Sequence, residues 1–445
     1  MRASLRAWRF GLIVVIASTL GGAAALRVEP AAKERELVRD LAKVVPAEVG
    51  VSAARLQRLD AHMQAMVDDG RLSGAVTMLA RHGKLVFVDV VGVQDVETGA
   101  PITRDSIFRL YSMTKPITGV ALMMLYEEGK WRLSDPVSKH IPAFADLKVH
   151  VGDGPDGKLR LEDADREMTM SELMSHSSGL AYGLGRTNAV DTLYRERRVL
   201  NADAPLQTMI DKLAALPLLA QPGTRWYYSI AVDVQGYLVE QLSGQPFDQF
   251  LSDRIFEPLG MVDTAFYVPS NKLERVARVH TEGDDGALEP ANMGETRTTP
   301  PAGPSGGGGL WGTADDYLRF TQMMLNGGEL DGQRLLAPRT VEMMRTNHLS
   351  DAATATMSRP DNGAGPARPG HGFGLDFAVM EDPAAAGEPD AAGSYYWGGA
   401  AGTWFWIDPE TDLTFVGMIQ HRYRPTVREV RGLSRNLVYQ AVVGP

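Results

Sequence analysis

The chain has 445 residues, 44% hydrophobic and 22% charged, as expected of a soluble globular protein with one large domain or two or three smaller ones. A formal net charge of −10 argues against nucleic acid and anionic membrane surfaces as main partners. Cysteine is absent, which excludes disulfides, thiolate catalysis and lipid attachment at a cysteine.

Residues 1–25 stand apart from the rest. Arg2, Arg6 and Arg9 make a basic start, residues 10–20 are apolar, and Ala23, Ala24 and Ala25 offer small residues for cleavage. This is a secretory signal pattern, and it predicts an exported protein, periplasmic or secreted. The alternative is an uncleaved anchor over residues 10–26, a stretch short of the roughly 20 residues a spanning helix needs. An exported chain without disulfides suits a periplasm or bacterial exterior. No later stretch is long and apolar enough to span a membrane.

Residues 26–50 read as a polar lead-in. A helix is expected over 51–69, with Leu56, Leu59, Met63 and Met66 on one face. The β-branched runs 74–81 and 84–92, joined at His82 and Gly83, predict a hairpin. Residues 109–129 then predict a helix, with Ile117, Val120, Ala121, Met124 and Leu125 at helical spacing and Gly129 as the stop. Residues 151–168, rich in Gly and Asp, read as an exposed excursion. Helices are expected over 170–180, 205–216, 232–242 and 247–256, and a long loop over 281–305. A glycine run at 306–309 leads into a helix over 314–325, with another over 340–345. Residues 351–371 read as a loose insertion, 373–379, 395–397, 403–407 and 413–420 as strands, and 427–443 as a closing helix. A mixed sheet built from both ends of the chain would enclose a helical middle. The parts are 51–110 and 306–445 for the sheet and 111–305 for the helices, within a single catalytic domain over 51–445.

Ser112 and Lys115 stand three positions apart in the helix that starts near residue 109. On a helix, i and i+3 share a face, so the lysine can reach the serine hydroxyl. A serine needs a neighbour to accept its proton, and a lysine whose charge is disfavoured can help do so. A bare Ser-x-x-Lys on its own reads more readily as a helix start with a surface lysine. In the stretch 222–236 a Pro-Gly turn, then aromatics, then a helix start would fix a side chain. Tyr228 is the candidate there for a second proton-handling group, since a phenol of pKa about 10 can act as a base beside a cation. Tyr227 is its rival in register, and either could be a plain core tyrosine among the thirteen of the chain. At 395–403, Trp397, Gly398 and Gly399 suggest a close approach to the backbone and a strand edge that could offer an N–H to an oxyanion. An aromatic strand with a bulge reads the same way.

Two motifs point elsewhere. Gly303-Pro-Ser-Gly-Gly307 satisfies Gly-x-Ser-x-Gly, but Ser305 lies in a Pro/Gly loop without the strand-to-helix context of a nucleophile elbow. His176 sits in a turn and suits a capping or core role. The nine histidines form no pattern of metal-ligand spacing, so neither metal nor cofactor is expected.

Taken in order, Ser112-Met-Thr-Lys115, Trp226-Tyr-Tyr-Ser229 and Trp397-Gly-Gly399 resemble the three motifs of the serine β-lactamase and penicillin-recognising superfamily. Within it they are most similar to class C β-lactamases and family VIII carboxylesterases. Leu173-Met-Ser-His-Ser-Ser-Gly-Leu180, Phe256-Glu-Pro-Leu-Gly-Met261 and the segment 306–313 also follow the family's habits. The resemblance runs from about residue 51 to the C-terminus. It implies an α/β (α+β) fold, an antiparallel sheet flanked by helices plus a mainly helical subdomain. It further implies Ser112 as nucleophile, Lys115 and Tyr228 as general acid and base, and the backbone N–H groups of Ser112 and Ala400 as oxyanion hole. Trp397, Gly398, Gly399, Tyr111 and Ile230 would line the substrate.

Two departures bear on the substrate. Ile230 stands where lactamases carry the Asn of Tyr-x-Asn, and Trp397 where they carry the Lys of Lys-Thr-Gly. Losing an amide and a cation favours small uncharged esters over carboxylate-bearing β-lactams. The competing expectations are a β-lactamase or D-amino-acid peptidase, and a non-catalytic penicillin-binding-like sensor. The sequence carries no signature of an oligomeric state.

Overall fold

Two neighbouring runs set the frame: β1 (Gly74–Arg81) and β2 (Lys84–Gly92) pair antiparallel around His82 and Gly83. Both turn residues have positive φ, 51° and 67°, as a two-residue hairpin of type I′ requires. The computed structural model in which this is seen describes residues 41–445 apart from 155–157, 186–187, 358, 360, 362–368 and 423. The expected signal at 1–25 and the first part of the lead-in lie outside the described residues.

The rest of the sheet comes from the far end of the chain. β3 (His371–Phe373), β4 (Ala378–Met380), β5 (Tyr395–Gly398), β6 (Trp404–Asp408) and β7 (Leu413–Met418) complete seven strands in the order β3-β4-β5-β6-β7-β1-β2. Every pair is antiparallel, as the resemblance implied and in place of the mixed sheet that the element order alone suggested. For β1–β2, β3–β4, β5–β6 and β6–β7 the physical reason is connectivity: links this short permit antiparallel neighbours and leave no room for a crossover. β1 lies inside the sheet next to its edge strand β2, with Val76 opposite Met418 on one side and Val90 on the other.

All eight residues of β1 are buried, because both faces of the sheet are covered. Ala75 and Leu79 pack into a core layer with Leu56, Leu59, Met63 and Met66 of α1 (Ala53–Asp68), and with Val430 and Val438 of the closing helix. Val76, Met78 and Ala80, on the alternate face, join the larger core shared with α2 (Thr114–Glu127), α3 (Ala231–Ser243) and α4 (Ala314–Leu325). The closing helix is α5 (Arg424–Tyr439).

Several expectations shift. Residues 151–168 hold a hairpin instead of an irregular excursion: Lys148–Asp153 pairs with Leu159–Asp163. Val149, Val151, Leu159 and Leu161 carried the period of two, but the Gly/Asp punctuation between them outweighed it. The strand expected at 373–379 is two short strands, because the chain reverses through Asp376, at φ 65°. The helix expected over 170–180 ends at Met174. A helix at Ala189–Glu196, capped by Asn188 accepting from Asp191 N–H, was not foreseen. The loop at 281–305 includes part of a short strand pair, His280–Glu282 with Leu288–Pro290. No helix among the described residues is long and apolar enough to cross a membrane.

Candidate active site

α2 is buried over Thr114 to Leu125 and is entered through a single 3-10 turn, Tyr111–Met113. Tyr111 has φ 47°, a left-handed conformation that costs a bulky residue on the order of 1–3 kcal/mol. The surroundings hold it there. Leu110 N–H donates to Leu310 O at 3.0 Å, and Met113 N–H to Leu110 O at 3.1 Å. Tyr317 O–H donates to Met113 O at 2.9 Å, and Leu310 N–H to Thr114 Oγ1 at 3.1 Å. Ser112 is thereby presented, half-buried, on a fixed turn.

Lys115 is 1% exposed, and its Nζ lies 3.4 Å from Ser112 Oγ, 3.4 Å from Tyr182 Oη and 2.6 Å from Gly307 O. An ammonium has three donors, and these are three acceptors. Tyr228 Oη donates to Ser112 Oγ at 2.6 Å, and Lys115 Nζ stands 4.5 Å from the centre of the Tyr228 ring. The structure therefore brings Ser112, Lys115 and Tyr228 into one hydrogen-bonded cluster. Tyr227 points elsewhere: its hydroxyl bonds Asp191 and accepts from Asn188 Nδ2 at 3.1 Å, and burial, then Asp191, push its pKa up.

His176 holds the backbone on both sides of Tyr228. Its carbonyl accepts from Tyr227 N–H at 2.9 Å, and its Nδ1 accepts from Ser229 N–H at 3.2 Å. Burial, then the charge of Lys115, keep the imidazole far below its ordinary pKa, so the ring is neutral and free to accept. Its structural role agrees with the sequence. Ser305 is no nucleophile here: its hydroxyl donates to Asp233 Oδ1 at 2.5 Å. Gly307 N–H donates to the same oxygen at 3.1 Å, which turns the Gly307 carbonyl onto Lys115. A Cβ on Gly307 would lie 2.4 Å from Asp233 Oδ2 and 2.9 Å from Tyr182 Oη, so a side chain there would displace one or the other. Burial raises the pKa of Asp233 and the charge of Lys115 opposes it.

The other expected residues divide. Trp397 packs against Tyr228 at 5.6 Å and Phe373 at 5.4 Å between ring centres. Tyr111 lines a cavity of about 310 Å3 with Arg109, Phe266, Leu310 and Trp311. Ala400 is exposed in the turn between β5 and β6, and its N–H has no protein acceptor among the described residues. The close approach expected at Gly398 and Gly399 is made by the protein itself: a Cβ on Gly399 would sit 2.4 Å from Leu110 O. This contact seats the turn against the residues leading into Ser112. Ile230 is a correction. It is fully buried in the core and offers no surface to a substrate, because its backbone caps α3 and turns the side chain inward. Tyr182, Asp233 and the Gly307 carbonyl were missed. Tyr182 and the Gly307 carbonyl meet Lys115 through the tertiary fold and Asp233 acts through Gly307, and no local motif marked them. No group among the described residues could hold a metal ion.

A family model described as beta-lactamase matches residues 59–440. The chain belongs to the β-lactamase family. Protein Rv1367c of Mycobacterium tuberculosis is 40% identical over 365 residues, covering 81% of this chain and 89% of that protein. Esterase EstB of Burkholderia gladioli is 33% identical over 418 residues, covering 89% and 99%. Among solved structures, EstCE1, described as a hydrolase with promiscuous acyltransferase activity, matches with a TM-score of 0.71 at 28% identity, covering 87% and 98%. The antiparallel sheet flanked by helices is thus the β-lactamase fold, and Trp397 lies on its strand β5.

Proposed function

We propose that this protein is a serine hydrolase that cleaves small carboxylic esters through an acyl-enzyme on Ser112. One observation carries the reading: Tyr228 Oη lies 2.6 Å from Ser112 Oγ, with Lys115 Nζ completing the cluster at 3.4 Å. Ser112 Oγ attacks the ester carbonyl carbon, and its proton passes to the Lys115 and Tyr228 pair. The tetrahedral intermediate collapses, the pair returns the proton to the leaving alcohol, and the acyl group stays on Ser112. Water then repeats the sequence and releases the acid. The N–H groups of Ser112 and Ala400 form the oxyanion hole, each such donor being worth about 3–4 kcal/mol in the transition state.

Similarity to EstB, an esterase by name, supports esters as the substrate class. The apolar Trp397 beside Tyr228 supports uncharged esters over carboxylate-bearing lactams or D-amino-acid peptides. Export is also part of the proposal, supported by the basic and apolar start at residues 1–25. Turnover of p-nitrophenyl butyrate and of nitrocefin is the direct test. The ester should be preferred, and Ser112→Ala should abolish its hydrolysis in a folded protein. A fluorophosphonate probe should label Ser112; failure to label, with no ester turnover, would mean a binding protein instead.

A further inference from the structure

The turn that carries Ala400 is backed by a guanidinium. Arg431 lies on α5, half-buried, with its Nε closed off from solvent. Its Nη2 donates to Gly399 O at 2.7 Å and to Thr403 O at 2.8 Å. The guanidinium lies so close under the strand that a Cβ on Gly398 would come within 2.8 Å of its Cζ. Gly399 O also accepts from Gly402 N–H at 3.1 Å, and Gly399 N–H donates to Thr403 O at 2.7 Å, so the turn is closed on itself and then clamped from behind. No carboxylate neutralises Arg431 among the described residues. Burial brings its pKa down to about 10, which leaves it charged at neutral pH.

Gly399 O and Ala400 N–H are the two ends of one peptide group. A cation bonded to the oxygen draws electron density toward it and makes the N–H at the other end a stronger donor. Hydrogen bonds in a chain polarise one another by about 10–30% per bond. A bond from a charged donor is about twice as strong as a neutral one. That N–H has no protein acceptor among the described residues and belongs to an exposed residue of a turn seated on Leu110, two residues ahead of Ser112. We propose that Arg431 is a positioning residue for the oxyanion hole: it orients the Gly399–Ala400 peptide and polarises it, so that Ala400 N–H binds the developing oxyanion more strongly than an unassisted amide. This rests on the acyl-enzyme reading above.

The test compares an ester with its thionoester, in which sulfur, a weaker acceptor, replaces the carbonyl oxygen that the hole binds. Arg431→Gln should lower kcat for the oxygen ester about tenfold or more, bounded by the 10²–10³-fold loss typical of a whole donor. The thionoester should lose less than threefold, and KM should change little. Gly398→Ala, whose methyl displaces the guanidinium, should reproduce the pattern. Should Arg431→Gln fail to fold, Arg431→Lys carries the same comparison, with a smaller loss still confined to the oxygen ester. Equal losses on both esters would make Arg431 a structural clamp and overturn the inference, as would no loss at all. Ser112→Ala, run alongside, separates the two claims: residual turnover there would sink the acyl-enzyme reading itself, whatever Arg431 does.

Discussion

Removing the Tyr228 hydroxyl is the sharpest perturbation of the proposed chemistry. In Tyr228→Phe the ring keeps its neighbours: His176 at 5.0 Å, Tyr182 at 5.5 Å and Trp397 at 5.6 Å between centres, with Lys115 Nζ above it. What is lost is the 2.6 Å bond to Ser112 Oγ, and Ser112 is half-buried, so water can replace that bond at little cost in stability. The melting temperature should therefore stay within a few degrees of wild type. Lys115 remains at 3.4 Å, too long to carry the proton alone with full efficiency. A positioned acid–base group contributes about 10²–10⁴-fold, or roughly 3–5 kcal/mol of barrier. The assay is kcat/KM on two esters of one acid, a nitrophenyl ester and an alkyl ester. A nitrophenolate leaves without protonation, whereas an alkoxide needs the proton that Tyr228 would return. The alkyl ester should thus suffer more. A folded Tyr228→Phe enzyme within tenfold of wild type on the alkyl ester would refute the role given to Tyr228.

Three further outcomes follow from the same geometry. Tyr227→Phe should keep kcat within a few-fold but lower stability by about 1–3 kcal/mol, because it strips a bond from the buried Asp191; urea midpoints and ester kinetics together check this. Gly307→Ala forces a methyl into the 2.4 Å gap to Asp233 and should move the carbonyl off Lys115, lowering kcat at least tenfold and stability by about 1–3 kcal/mol; an unchanged kcat would count against the Gly307 contact. Burial, then His280, lower His421 from 6.5 to about 4, so the unfolded chain takes up this proton before the folded one does. Its contribution to stability is whole above pH 6.5 and is lost as pH falls to about 4. His421→Gln should flatten the fall of the urea midpoint over that window, and identical slopes would exclude the effect.

The residues whose sequence signal matched their structure are those with strong local patterns. The hairpin at β1 and β2 came out with the expected bounds because the β-branched runs and the His82-Gly83 turn agree. Ser112 and Lys115 were readable because i and i+3 meet on a helix face whatever the tertiary fold. Tyr228 was separable from Tyr227 in three dimensions, where one hydroxyl meets Ser112 and the other Asp191. The reversal at Asp376 was hidden within an apolar run that reads as a single strand. Tyr182, Asp233 and Gly307 carry no pattern of their own, since two reach Lys115 from different stretches of chain and Asp233 holds Gly307 from a third. The paired glycines signalled a close approach correctly, but the approaching groups, Leu110 and Arg431, lie far away in sequence.

The place of β1 between β2 and β7 has a consequence in time. Its two neighbours are made at opposite ends of synthesis: β2 follows within a few residues, whereas Val76 waits for Met418. Until β7 is complete, the N-terminal hairpin presents an open edge whose side chains are destined for burial on both faces. Such an edge is a template for pairing with other chains, and contacts this distant in sequence form slowly. A chain cut short before Leu413 is therefore not a smaller hydrolase. It is a hairpin without its second partner, expected to elute as aggregate where the full chain elutes as a discrete species.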